Sequence, residues 1–105
     1  MEKTPAGPNR GRRFKIRPDV LSERLDEEEV ILDLASGTYF GLNPSGSRAW
    51  GLLKEGADSE AVVGALVREY GVPKEACRRD LDLLLEDLTR RGLVESAEEN
   101  SPLGD

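Results

Sequence analysis

Histidine is missing altogether. Its absence removes the commonest general base, the Ser-His and Cys-His dyads and most zinc sites. Cysteine occurs once, as Cys77, so no intramolecular disulfide can form and a reducing cytoplasm is the expected setting. Cys77 stands four residues before Leu81 on the apolar face of a helical segment, where a buried structural thiol is expected rather than a reactive one. The five aromatics, two Phe, two Tyr and one Trp, leave room for a small core only. No apolar run approaches the roughly 20 residues of a membrane span. The basic N-terminus is not followed by a signal-peptide hydrophobic region, and no glycine spacing matches a phosphate-binding or dinucleotide loop. No catalytic residue, metal or cofactor is expected.

Charge, by contrast, is abundant. Charged residues make up 34% of the chain and apolar residues 37%, the balance of one soluble domain of 105 residues with one compact core. The net charge of −6 is unevenly spread. Residues 1–17 carry Lys3, Arg10, Arg12, Arg13, Lys15 and Arg17 against Glu2, a net +5, which leaves −11 for the other 88 residues. An acidic body does not suit nucleic acid, whose binding rests on Lys and Arg neutralising phosphates.

Residues 1–13, with two Pro, two Gly and no apolar pattern, read as a disordered basic arm. The domain follows over 14–96, and 97–105 reads as an acidic flexible tail. Phe14, Ile16, Val20, Leu21 and Leu25 outline one irregular edge strand interrupted by Pro18. Asp26 to Glu29 reads as a solvated acidic turn. Val30 to Leu34 and Thr38 to Leu42 alternate with period 2 across Ala35-Ser36-Gly37, the pattern of a β-hairpin. Gly41 within the second strand marks either a bulge or a close approach of another backbone. Asn43-Pro44 then opens a helix to about Leu53, with Ala49, Trp50 and Leu53 on its apolar face. Asp58 or Ser59 caps a second helix, striped by Val62, Leu66 and Tyr70 and closed by Gly71. Pro73 opens a third, which runs to Arg91 with Cys77, Leu81, Leu84, Leu85 and Leu88 on one face and Gly92 as its stop. Leu93-Val94 is a short strand or extended exit. Phe40, Leu42 and Trp50 are expected to hold the core.

The fold class is therefore α+β, winged helix-turn-helix-like, with a three-stranded N-terminal antiparallel sheet followed by three helices. That outline raises DNA binding as an alternative function. The third helix argues against it: five basic residues face five acidic ones, and the acids occupy its middle, where base contacts would need donors. Binding of a peptide or protein remains. An exposed second hairpin strand, Thr38, Tyr39, Phe40, Gly41 and Leu42, offers unpaired backbone groups to an extended peptide. About four such hydrogen bonds contribute roughly 2–6 kcal/mol, against an association cost of roughly 4–15 kcal/mol. Side-chain anchors in an apolar groove, at roughly 1.5–3 kcal/mol each, must supply the difference. Ala76, Leu83 and the stem of Arg79 suit such a groove, because Leu83 lies away from the Leu81/Leu85/Leu88 stripe; the alternative for Leu83 is burial by the fold itself.

The segment Val30-Ile-Leu-Asp-Leu-x-x-Gly-x-Tyr-Phe-x-Leu-Asn43, then Gly46, Ala49-Trp50, a Tyr70-containing helix, Asp80-Leu81 and Arg91-Gly92-Leu93-Val94, resembles the PqqD-like family over roughly residues 17–96. The resemblance implies a RiPP recognition element of the kind found in pyrroloquinoline quinone and lasso-peptide biosynthesis. Such a domain is non-catalytic and binds the leader segment of a ribosomally made precursor peptide. The leader adds as a strand to the third strand, lies against the third helix, and is presented to a maturation enzyme such as a radical SAM protein, protease or cyclase. On this chain the implied site is the strand Gly37 to Leu42 and the helix Glu75 to Leu88, with Ala76, Arg79, Asp80, Leu83 and Asp87 as its helical contacts. The expected partners are the precursor peptide and that enzyme, with neither nucleic acid nor membrane among them.

Overall fold

The computed structural model describes residues 11–97; residues 1–10 of the expected arm and 98–105 of the expected tail lie outside the described residues. The architecture is α+β, with antiparallel strands ahead of three helices. Where one strand is expected over 14–25, there are two. Pro18 has no N–H to give a ladder, and a turn in which the Val20 N–H donates to the Arg17 carbonyl (3.1 Å) separates β1 (Phe14–Ile16) from β2 (Val20–Leu25). β2 turns back as β3 (Glu28–Asp33), and β3 as β4 (Thr38–Leu42), giving one sheet in the order β2-β3-β4. β1 pairs instead with β5 (Val94–Ser96), Phe14 opposite Ser96. The ordered fold also begins before Phe14. The Ser59 N–H donates to the Arg12 carbonyl (2.8 Å), and the Ala97 N–H donates to that of Arg13 (2.9 Å).

The acidic run 26–29 is only half a turn. Asp26 and Glu27 form it, Asp26 in the left-handed region at φ 59°, which Asp tolerates better than most residues and a two-residue hairpin favours. Glu28 and Glu29 belong to β3, and Glu29 is buried with its carboxylate accepting from Arg24 Nε at 3.0 Å. Pairing runs without a bulge through Gly41, which lies opposite Val30.

Helix α1 (Pro44–Lys54) starts as its sequence dictates: Asn43 Oδ1 accepts from the Gly46 N–H at 2.8 Å, and Pro44 opens the first turn. α2 (Ser59–Tyr70) is capped by Asp58, which accepts from the Ala61 N–H at 2.9 Å, and ends at Gly71 in the left-handed conformation. α3 (Lys74–Arg90) follows Pro73 and buries Cys77, Leu81, Leu85 and Leu88. α1 covers the inner face of the sheet, where Ser22, Ile31 and Phe40 form one cross-strand row. Trp50 and Ile31 are fully buried there, and the indole Nε1–H donates to Ser22 Oγ at 3.0 Å. Phe40, expected in the core, is half-buried at its margin under the Arg91 guanidinium, 4.9 Å from the ring centroid.

Ser47, fully buried on α1, fixes how helix and sheet meet. Its hydroxyl accepts from the Glu29 N–H (2.6 Å) and donates to the Leu42 carbonyl (3.0 Å). Glu29 and Leu42 face each other at the end of the β3–β4 ladder, so one hydroxyl closes that end and anchors α1 to both strands. Buried polar groups left without partners cost roughly 1–3 kcal/mol. Ser47→Ala should therefore lower unfolding free energy by about 2 kcal/mol in urea titration. Trp50→Ala should cost about 3–5 kcal/mol, and Phe40→Ala less, because its ring is only half-buried.

Candidate functional site

β3 pairs with one edge of β4, and among the described residues no strand pairs with the other. The other edge of Thr38–Leu42 therefore presents alternate backbone N–H and C=O groups in extended geometry. Period-2 alternation divides the side chains of the strand. Phe40 and Leu42 point toward the helices and pack on the core, whereas Tyr39, 68% exposed, and Gly41 point to the opposite face. Gly37, with φ 73°, makes the hairpin turn, and its N–H donates to the Asp33 carbonyl at 2.7 Å. A Cβ on Gly41 would meet nothing within 4 Å, so the backbone here lies open to approach.

A cleft of about 590 Å³ lies beside the C-terminal end of β4. Gly41, Leu42 and Asn43 form its sheet wall, the first turns of α1 (Ser45, Gly46, Ala49) part of its floor, and Leu66, Tyr70, Val72 and Pro73 one flank. α3 closes the other side with Ala76, Cys77, Asp80, Leu81, Leu83 and Leu84. The lining is mostly apolar, and Asp80 is its one charged side chain. Burial, with the Asp80 carboxylate next in effect, raises the pKa of the Cys77 thiol against the opposing pull of Arg78, so the thiol is not activated as a nucleophile.

Five residues expected in the site thus line this cleft together: Gly41, Leu42, Ala76, Asp80 and Leu83. Ala76, Asp80, Leu83 and Asp87 recur at helical spacing along one stripe of α3. At the far end of that stripe Asp87 holds Arg91 (3.0 Å), whose guanidinium lies over Phe40 and links α3 to β4. Gly37, Thr38, Tyr39, Phe40, Arg79 and Asp87 lie outside the cleft lining. Tyr70 and Val72 belong to it though the sequence reading assigns them no such part. Tyr70 continues the Leu66 stripe of α2 past the core, so the helical period that identifies a buried face also carries a ring, 48% exposed, to the cleft. A bidentate pair between Arg48 and Glu69 (2.9 Å for each bond) ties α1 to the end of α2 next to Tyr70, and Arg78 binds Glu60 (2.8 Å) to join α3 to α2. The walls are thereby fixed to one another.

Comparison with known proteins gives a consistent result. The family model for coenzyme PQQ synthesis protein D (PqqD) matches residues 28–94. Among solved structures, TbiB1 in complex with the TbiA(beta) leader peptide is similar at 42% identity and TM-score 0.76, covering 81% of this chain and 99% of that one. Lasso peptide synthetase B1 complexed with the leader peptide is similar at 29% identity and TM-score 0.73, covering 79% of this chain and 98% of that one. No curated protein matches the sequence.

The two leucine faces of α3 should separate in stability measurements. Leu83, 60% exposed, should tolerate Leu83→Ala within about 0.5 kcal/mol. Leu81, 3% exposed, should lose about 2–5 kcal/mol on Leu81→Ala in the same thermal or urea melts.

Proposed function

The chain belongs to the PqqD family, and from that premise we propose that it is a non-catalytic peptide chaperone of RiPP biosynthesis. It binds the leader segment of a ribosomally made precursor and presents it to a maturation enzyme of the radical SAM, protease or cyclase kind, in the cytoplasm. The observation that carries this reading is the juxtaposition of a free strand edge with an apolar cleft. Backbone pairing along β4 supplies register, and side chains of the added strand that point toward the helices enter the space between β4 and α3.

The energetics favour this division of labour. Strand pairing alone, at roughly 2–6 kcal/mol, does not cover the cost of association. Apolar anchors in a cleft with rigid walls close the gap at roughly 1.5–3 kcal/mol each, and the fixed walls limit the ordering penalty. Solved relatives at 42% and 29% identity are complexes with leader peptides. On this chain the residues in contact with the leader are the backbone of Gly37 to Leu42 and the α3 stripe Ala76, Asp80, Leu83 and Asp87 with Arg79 at its border. Tyr39 contributes backbone pairing only, since its ring faces away from α3.

DNA binding gains nothing from the geometry. Arg78, Arg90 and Arg91, three of the five cations of the third helix and its cap, are engaged in ion pairs with Glu60 and Asp87. The remaining outward positions of α3 mix both signs.

Titration of the isotope-labelled protein with its leader peptide should shift the amide NMR signals of residues 37–42 and 76–87 together, with Leu83→Ala weakening affinity about tenfold or less, the worth of one partly buried anchor. Shifts confined to residues 11–17 would contradict binding in the cleft.

A further inference from the structure

The sheet has a second face, which the leader-binding reading leaves unused. Where one face of an antiparallel sheet packs on a core, the other is ordinarily polar. Here the alternation and register put Leu21, Leu25, Val30, Leu32, Leu34 and Tyr39 on the outer face, turned away from α1. Four of them are more than half exposed: Leu21 53%, Leu25 54%, Leu34 53% and Tyr39 68%. Leu21, Leu32 and Tyr39 stand opposite one another and form a continuous apolar row across all three strands. No helix packs on this face among the described residues. Contiguous exposed apolar surface of this kind marks an interaction site.

Charge narrows the occupant. The remaining charged positions on the face are Glu23 and Glu28, and the acidic Asp26-Glu27 turn lies at its end. Arg24, the one cation of β2, points the other way, to Glu29 and the Ser47 carbonyl. A second copy of this chain would bring the same acidic border, and like charges in apposition oppose association. Phosphate-bearing surfaces are disfavoured for the same reason. The complementary surface is a protein with an apolar centre flanked by Lys and Arg.

Geometry then selects which protein. We propose that the outer face of the β2-β3-β4 sheet is the docking surface for the maturation enzyme. This rests on the leader-binding reading, for a strand added to β4 extends the sheet, and its outward side chains continue the Leu21–Leu32–Tyr39 row beyond Tyr39. An enzyme seated on that face touches the chaperone and the bound leader at once. Recognition of the pair is thereby tighter than recognition of either alone, which directs the enzyme to loaded chaperone.

The test uses the full chain, a fluorescein-labelled leader peptide and the purified enzyme that processes the same precursor. Two variants are compared with the parent: Leu21→Thr/Leu25→Thr, both on the strand farthest from β4, and Glu23→Lys. Both should melt like the parent and bind leader within twofold of it, while affinity for the enzyme falls at least tenfold. Added leader should strengthen enzyme binding by the parent and not by the double variant. Enzyme affinity within twofold of the parent in both variants overturns the proposal. So does concentration-dependent self-association of the parent that the double variant abolishes, since the face then belongs to a second copy. If the parent binds no leader yet loses enzyme binding through Leu21 and Leu25, the docking surface stands and the leader-binding reading falls.

Discussion

One buried hydroxyl decides how the two halves of this domain are joined. Ser47 Oγ accepts from the Glu29 N–H and donates to the Leu42 carbonyl, closing the end of the β3–β4 ladder with a side chain from α1. The arrangement satisfies two backbone groups at a depth where solvent cannot. It also sets the height of α1 over the sheet, so that Trp50 seats against Ser22 and Ile31. Because α1 holds β4 from the inner face, the free edge of the strand needs no partner to remain extended. The cleft follows from the same constraint, since its floor is the first turn of α1, and its outer wall is α3, held through α2 by the Arg48–Glu69 and Arg78–Glu60 pairs.

Helices were the most legible part of the sequence because their boundaries depend on local chemistry. Asn43-Pro44, Asp58, Gly71 and Pro73 each act within a turn of their own position, and each helix begins or ends where those residues place it. The hairpin was legible for the same reason. Pairing at a distance was not. Nothing local to Phe14–Ile16 states that its partner is Val94–Ser96, eighty residues on, rather than the neighbouring sheet. Glu29 was hidden among four consecutive acids, and only the approach of Arg24 and Ser47 explains why the last of them is buried. In the candidate site, helical spacing brought Ala76, Asp80 and Leu83 to one stripe. Tyr70 reaches them by continuing the Leu66 stripe of α2, whereas Val72, in the loop beyond Gly71, joins through the packing of α2 on α3, which no period in the sequence encodes.

On the proposed reading, function is a matter of surfaces rather than reactive groups. A β-hairpin normally spends one face on the core and leaves the other to water. In this chain the inner face holds the helices, the edge of β4 is left open beside an apolar cleft, and the outer face keeps six apolar side chains exposed or half-exposed. A strand that joins β4 connects all three, since its alternate side chains turn to the cleft and to the outer face. On the proposed reading, that geometry turns binding of a flexible peptide into display of a defined surface.

On the proposed reading the leader peptide becomes a strand of this sheet. Amide hydrogen exchange reads that event directly, because the edge-facing amides of Thr38–Leu42 gain hydrogen-bond partners only if a strand is added. With saturating leader peptide those alternate amides should exchange at least tenfold more slowly, while the amides already bonded to β3 change little. Unchanged exchange along β4, with the leader demonstrably bound, would contradict strand addition.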